Sequence, residues 1–279
     1  MRRESFETPG EVTLDIRLAV GRVEVEAVEG TTTEVELDAH GNEDEVRELL
    51  EDARIDLREA HGGHEVIVHV GDRRRLGFGF WRKIDVRLAI RAPEGVNVKA
   101  ETASADLRGR GRFGSLDAKA ASGDVELDEI ARDASVGAAS GDVKIRSVGG
   151  AAEISTASGD VELVRVAAET VVRTASGDVT VDDAGGGVTV KTASGDQRIA
   201  SVAAGTVELQ SMSGDISVGI RQGSNVWVDA RAMSGDLSSE LELGEEQPAD
   251  DAPLVELRAA SMSGDVKVVR APAATQLHR

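Results

Sequence analysis

The sequence predicts an all-β protein: a single-stranded parallel β-solenoid (β-helix) with coils of about 18 residues, preceded by a β-rich segment with one short helix. Three observations carry this prediction. Ser-Gly-Asp recurs every 18 residues, at Ser122-Gly123-Asp124, Ser140-Gly141-Asp142, Ser158-Gly159-Asp160, Ser176-Gly177-Asp178 and Ser194-Gly195-Asp196. Apolar residues alternate on both sides of each copy, as at Val172, Val179 and Val181 around Ser176, so each period holds two short strands bent at the tripeptide. Aromatic residues are nearly absent: Phe6, Phe78, Phe80, Trp81, Phe113 and Trp227 are the whole set. A slender core of Val, Ile, Leu and Ala fits that composition better than a broad globular one.

Residues 11–39 alternate apolar and polar side chains through Val12, Leu14, Ile16, Leu18, Val23, Val25, Ala27, Val35 and Leu37, with turns at Gly21 and Gly30. Over 43–53 the spacing of Val46, Leu49, Leu50 and Ala53 turns helical. Asn42 is placed to cap that helix, and acidic residues crowd its first turn. Residues 54–60 and 65–70 read as strands joined by a hairpin turn at His61-Gly62-Gly63-His64, and 84–91 as a further strand ended by Ala92-Pro93.

From residue 96 the repeat takes over. The chain therefore divides into a capping segment 1–95, a solenoid 96–270 and a loose tail 271–279. An 18-residue unit cannot bury its own apolar face, so each coil is expected to pair in parallel with the next. A degenerate first copy stands at Ser104-Ala105-Asp106, and later copies begin at Ser213, Ser234 and Ser263. The wider gaps before the last two read as loop insertions.

The net charge of −19 argues against nucleic acid as a partner, because phosphates are met by Lys and Arg. With no Cys, disulfides, thiolate nucleophiles and Cys-ligated metals are excluded. No window reads as a signal peptide or a membrane span. The expectation is a cytoplasmic protein, with peripheral membrane association as its variant. No cofactor and no small-molecule substrate is evident.

The repeated tripeptide has two readings. As a structural corner, Gly supplies a backbone conformation that a Cβ would strain, while Asp holds neighbouring amides. As a metal column, Asp124, Asp142, Asp160, Asp178 and Asp196 would bind calcium between coils, as aspartate-bearing β-rolls do. The corner is preferred, since those rolls have more glycines and half the period. His61, His64 and His69 lack the companions a metal site needs and read as parts of a hairpin.

One segment stands apart. Arg73-Arg74-Arg75-Leu76-Gly77-Phe78-Gly79-Phe80-Trp81-Arg82-Lys83 holds three of the six aromatics and five positive charges in an acidic chain. Its bland reading is packing by Phe78, Phe80 and Trp81 on the solenoid end or the helix. Its functional reading is a docking loop in which Arg73, Arg74, Arg75, Phe78, Phe80, Trp81, Arg82 and Lys83 meet an acidic partner or a membrane surface.

Residues 84–93 (Ile84-Asp85-Val86-Arg87-Leu88-Ala89-Ile90-Arg91-Ala92-Pro93), Val96-Asn97-Val98 and the copies of Thr156-Ala157-Ser158-Gly159-Asp160-Val161 resemble the bacterial "putative adhesin" domain family of unknown function. That family is related to the toast-rack domains of envelope-stress proteins, and Gly21-Arg22-Val23-Glu24-Val25 also fits it. The resemblance implies a β-helical fold. It further implies a scaffold or sensing role beside a membrane-associated regulator.

The leading expectation is a non-enzymatic scaffold or protein-interaction module. A surface adhesin and a carbohydrate-acting β-helix enzyme are the alternatives. The open solenoid end must be covered, by the tail after Ala271 or by a second copy, so homo-oligomerisation through that end is a further expectation.

Overall fold

Parallel β-coils account for most of the chain in a computed structural model, which describes residues 1–60, 62–71, 84–241 and 252–271. The tail from 272 onward therefore lies outside the described residues. The chain divides into two units, Met1–Ile145 and Arg146–Arg279.

The first unit contains β1 (Arg2–Glu7), β2 (Val12–Val28), β3 (Thr32–His40), α1 (Glu43–Asp52), β4 (Arg54–Ala60), β5 (Gly63–Val70), β6 (Asp85–Pro93), β7 (Asn97–Phe113), β8 (Leu116–Ser122), β9 (Val125–Ile130) and β10 (Ala134–Ser140). β11 (Val143–Val148) spans the division. The second unit contains β12 (Ala152–Ser158), β13 (Val161–Val166), β14 (Thr170–Ser176), β15 (Val179–Ala184), β16 (Val188–Ser194), β17 (Gln197–Val202), β18 (Gly205–Ser213), β19 (Ile216–Ile220), β20 (Asn225–Ser234), β21 (Leu237–Ser239), β22 (Leu254–Ser263) and β23 (Val266–Arg270).

In the first unit the parallel stack reaches back into the first 95 residues, out of chain order. β2 pairs in parallel with β5 and β6 on one side and with β7 on the other. β7 then carries β8 and β9, and β8 carries β10. The register sets Gly21, where the sequence already places a turn, opposite Ala105, so β2 contains a further corner without the Ser-Gly-Asp tripeptide. Beyond β5 and β6 the pairing turns antiparallel: β4 lies on β5, β3 on β6 and β1 on β3. The hairpin between β4 and β5 pairs Ala60 with Gly63, as its Gly-rich turn predicts.

Helix α1 begins where the sequence places it. Asn42 caps it by accepting from the backbone N–H groups of Asp44 and Glu45, at 3.1 and 3.5 Å. Leu49 is its buried anchor.

In the second unit, coils 18 residues apart pair in register, with Val161 beside Val179 and Ile154 beside Val172. Their inward side chains, among them Ile154, Leu163, Val172 and Val181, are fully buried.

The last coils depart from the expected chain order. β18 pairs with β22 rather than β20, and β20 pairs with the other side of β22. β23 likewise lies between β19 and β21. The final coil is thus inserted between two earlier ones. Side-chain chemistry gives a reason. At matching register positions the Ser263 coil carries Leu257 and Val268 where the Ser234 coil carries Val228 and Ser239. The interior place buries both of those positions, and burying a large aliphatic side chain there contributes about 1.5–3 kcal/mol. A hydroxyl such as that of Ser239 would instead need a hydrogen-bond partner.

Candidate functional site

The repeated corners spend their carboxylates on the backbone. The Asp160 Oδ1 accepts from the Asp178 N–H at 2.8 Å, Asp178 from Asp196 at 2.8 Å, and Asp196 from Asp215 at 2.8 Å. In the first unit Asp124 accepts from Asp142 at 3.0 Å. The stack continues in its permuted order, with Asp215 accepting from Asp265 and Asp265 from Asp236. Each of these carboxylates therefore faces an amide donor of the next coil. Among the described residues no group of three or more His, Asp or Glu is gathered as a metal site.

The glycines complete the corner. Gly177 has φ +139, and a Cβ there would collide with the Gly159 carbonyl of the coil before it. Only a residue without a Cβ lets stacked corners approach this closely.

Arg73, Arg74, Arg75, Phe78, Phe80, Trp81, Arg82 and Lys83 lie outside the described residues, as does His61. His64 and His69 both lie on β5, at an odd spacing that places them on opposite faces of the strand.

A groove of about 940 Å³ in the first unit brings together residues that are distant in sequence. A row of polar and charged side chains crosses four parallel strands on its outer face. His69 of β5 is in register with Arg17 of β2, Arg17 with Glu101 of β7, and Glu101 with Lys119 of β8. All four line the groove. The Arg17 Nε lies 3.5 Å from the Glu101 carboxylate. Two residues before Arg17, Asp15 places its Oδ2 3.2 Å from His69 Nε2 without hydrogen-bond alignment, and its Oδ1 is buried with no hydrogen-bond partner. The next strand, β10, sets Gly137 in register with Lys119, and there the row ends.

Two residues further along these strands stand Ala19, Ala103, Ala121 and Ala139, which also line the groove. Leu49 and Asp52 of α1, with Arg54, form part of the lining. The result is an alanine shelf beside a row of polar and charged side chains. Small side chains on such a shelf let another backbone approach closely, while the charges can fix its register.

The row is not readable from the repeat, because Arg17 and His69 join it through out-of-order pairing. The alanines at 121, 139, 157, 175 and 193 do form a visible column, one residue before each Ser. That column is the available signal.

No helix among the described residues is long and apolar enough to cross a membrane. A model of the Toastrack DUF4097 family matches residues 13–269, in agreement with the resemblance read from strands and corners. No curated protein matches the chain. Among solved structures, a "putative adhesin" from Bacteroides fragilis is 13% identical with a TM-score of 0.45, covering 96% of each chain. A "putative lipid binding protein" from Parabacteroides distasonis is 14% identical with a TM-score of 0.43, also covering 96% of each chain. A "putative cell adhesion protein" from Clostridium sporogenes is 11% identical with a TM-score of 0.28, covering 96% of this chain and 99% of that one.

Proposed function

The chain belongs to the Toastrack DUF4097 family, and from that premise we propose that it is a non-enzymatic protein-interaction module that holds an extended segment of a partner protein in the groove of its first unit. The observation that carries this reading is the cross-strand row His69–Arg17–Glu101–Lys119 beside the alanine shelf. Rigid parallel strands hold these side chains in place, and the order of the Arg17, Glu101 and Lys119 charges specifies which segment fits and in which register. The corner carboxylates, which repeat through the solenoid, are committed to backbone amides and serve architecture.

Photocrosslinking in the host cell tests the reading. A benzophenone amino acid at Ala121, inside the groove, should give a discrete adduct with a partner protein. The same group at Glu126, exposed on β9, should not. Reversing the charge at Arg17 (Arg17→Glu) should abolish the adduct in a chain that keeps a cooperative melting transition. Equal labelling from both positions, or labelling indifferent to Arg17→Glu, would show that the groove is not the binding face.

A further inference from the structure

Among the described residues, the permuted order of the last coils leaves β20 with an open edge. Among the described residues β20 pairs only with β22, and β21 only with β23. Side chains at this edge are exposed for an apolar set: Trp227 49%, Val228 39%, Met233 80% and Leu237 56%. The Trp227 ring lies 5.8 Å from the Arg258 guanidinium of β22, which holds the indole against the outer face of the strands. An edge strand of this length with apolar side chains is a template for another strand.

We propose that a second copy of this chain covers it, through an isologous antiparallel pairing of β20 with β20 about a two-fold axis at Ala230. The sequence of β20 is self-complementary in that register. Residues pair so that Asp229 faces Arg231 twice, Trp227 faces Met233 twice and Val228 faces Ala232 twice, with Ala230 opposite itself. Opposite charges and an aromatic–sulfur contact are both favourable cross-strand pairs.

Neighbouring registers are worse. Centring on Asp229 sets the two Asp229 carboxylates against each other, and centring on Arg231 opposes the two guanidiniums. A slip by one residue sets even-numbered positions against odd-numbered ones, which belong to the opposite face of the strand. Asp229 and Arg231 already pair within the strand, with Arg231 Nη2 3.0 Å from the Asp229 carboxylate. In the dimer the two pairs become a four-charge cluster across the axis. The inference stands apart from the groove, which belongs to the other unit and is not used by it.

The test is sedimentation of the full chain with charge variants. The wild type should show a concentration-dependent mass rising to twice 29.2 kDa. Arg231→Asp opposes four carboxylates across the axis and should weaken the dimer by about tenfold or more. The swap Asp229→Arg/Arg231→Asp restores the complementarity and should restore the dimer. Because the chain has no cysteine, Ala230→Cys provides an independent readout. At the axis the two Cα atoms would lie about 4.5–5.5 Å apart, within disulfide reach, so mild oxidation should give a covalent dimer. A monomeric wild type would overturn the proposal and leave the edge to a segment of the same chain. A dimer that ignores Arg231→Asp, or a swap that stays monomeric while folded, would overturn it as well.

Discussion

Gly141 sits at a corner of the first unit with φ +133, and an added Cβ there would meet the Gly123 carbonyl of the preceding coil. Gly137, on β10, has nothing within 4 Å of where its Cβ would be. Gly141→Ala therefore incurs both backbone strain and a collision, and should destabilise by about 2 kcal/mol or more. Gly137→Ala removes a flexible residue from a strand at no steric cost, and should be neutral or stabilising by up to about 0.5 kcal/mol. Urea unfolding of the two variants checks the pair. Equal losses would mean that the corner conformation is not what selects glycine.

At the scale of the element, the inward columns follow the alternation read from the sequence, but several buried polar residues interrupt them, Thr170 and Gln197 among them. Thr170, fully buried on β14 between Ala152 and Val188, has an Oγ1 with no hydrogen-bond partner. Gln197 is buried too, yet its Nε2 donates to Thr192 Oγ1 and to the Gln210 carbonyl, which partly compensates it. An unsatisfied buried hydroxyl costs about 1–3 kcal/mol, so Thr170→Val, nearly isosteric, should raise stability by about 1 kcal/mol. A calorimetric melt with an unchanged or lower transition would mean that the hydroxyl is satisfied in solution. The coils, corners and helix are legible because each is a local pattern: period two, a constant tripeptide, a cap followed by helical spacing. Out-of-order pairing is not. Nothing local in 12–28 says that it lies between 63–93 and 97–113, and nothing in the Ser234 coil alone says that the Ser263 coil will displace it from β18. Those placements depend on a competition between distant segments for one position, and the row from His69 to Lys119 is hidden with them.

At the scale of the whole molecule, the decisive quantity is charge. With 51 acidic and 32 basic side chains, self-repulsion opposes compaction, while surface ion pairs favour it. Pairs such as Arg87–Glu24 at 2.7 Å and Arg173–Glu153 at 3.0 Å are exposed, and solvent screening leaves such pairs only a small contribution. Salt weakens both effects, but the 19 uncompensated negative charges act over distances at which screening is strongest, beyond the Debye length of about 10 Å at 0.1 M. The melting temperature should therefore rise as NaCl is raised from low concentration. Calcium chloride at matched ionic strength separates screening from binding. Within the stack the corner carboxylates Asp124, Asp160, Asp178, Asp196, Asp215 and Asp265 already face an amide donor of the next coil, as Asp178 does toward Asp196 at 2.8 Å, so a cation would have to displace that donor to reach the oxygen. Calcium should then stabilise no more than sodium at equal ionic strength. A larger rise with calcium, lost in Asp178→Asn, would instead make the column a metal site and reverse the reading of the repeat as architecture.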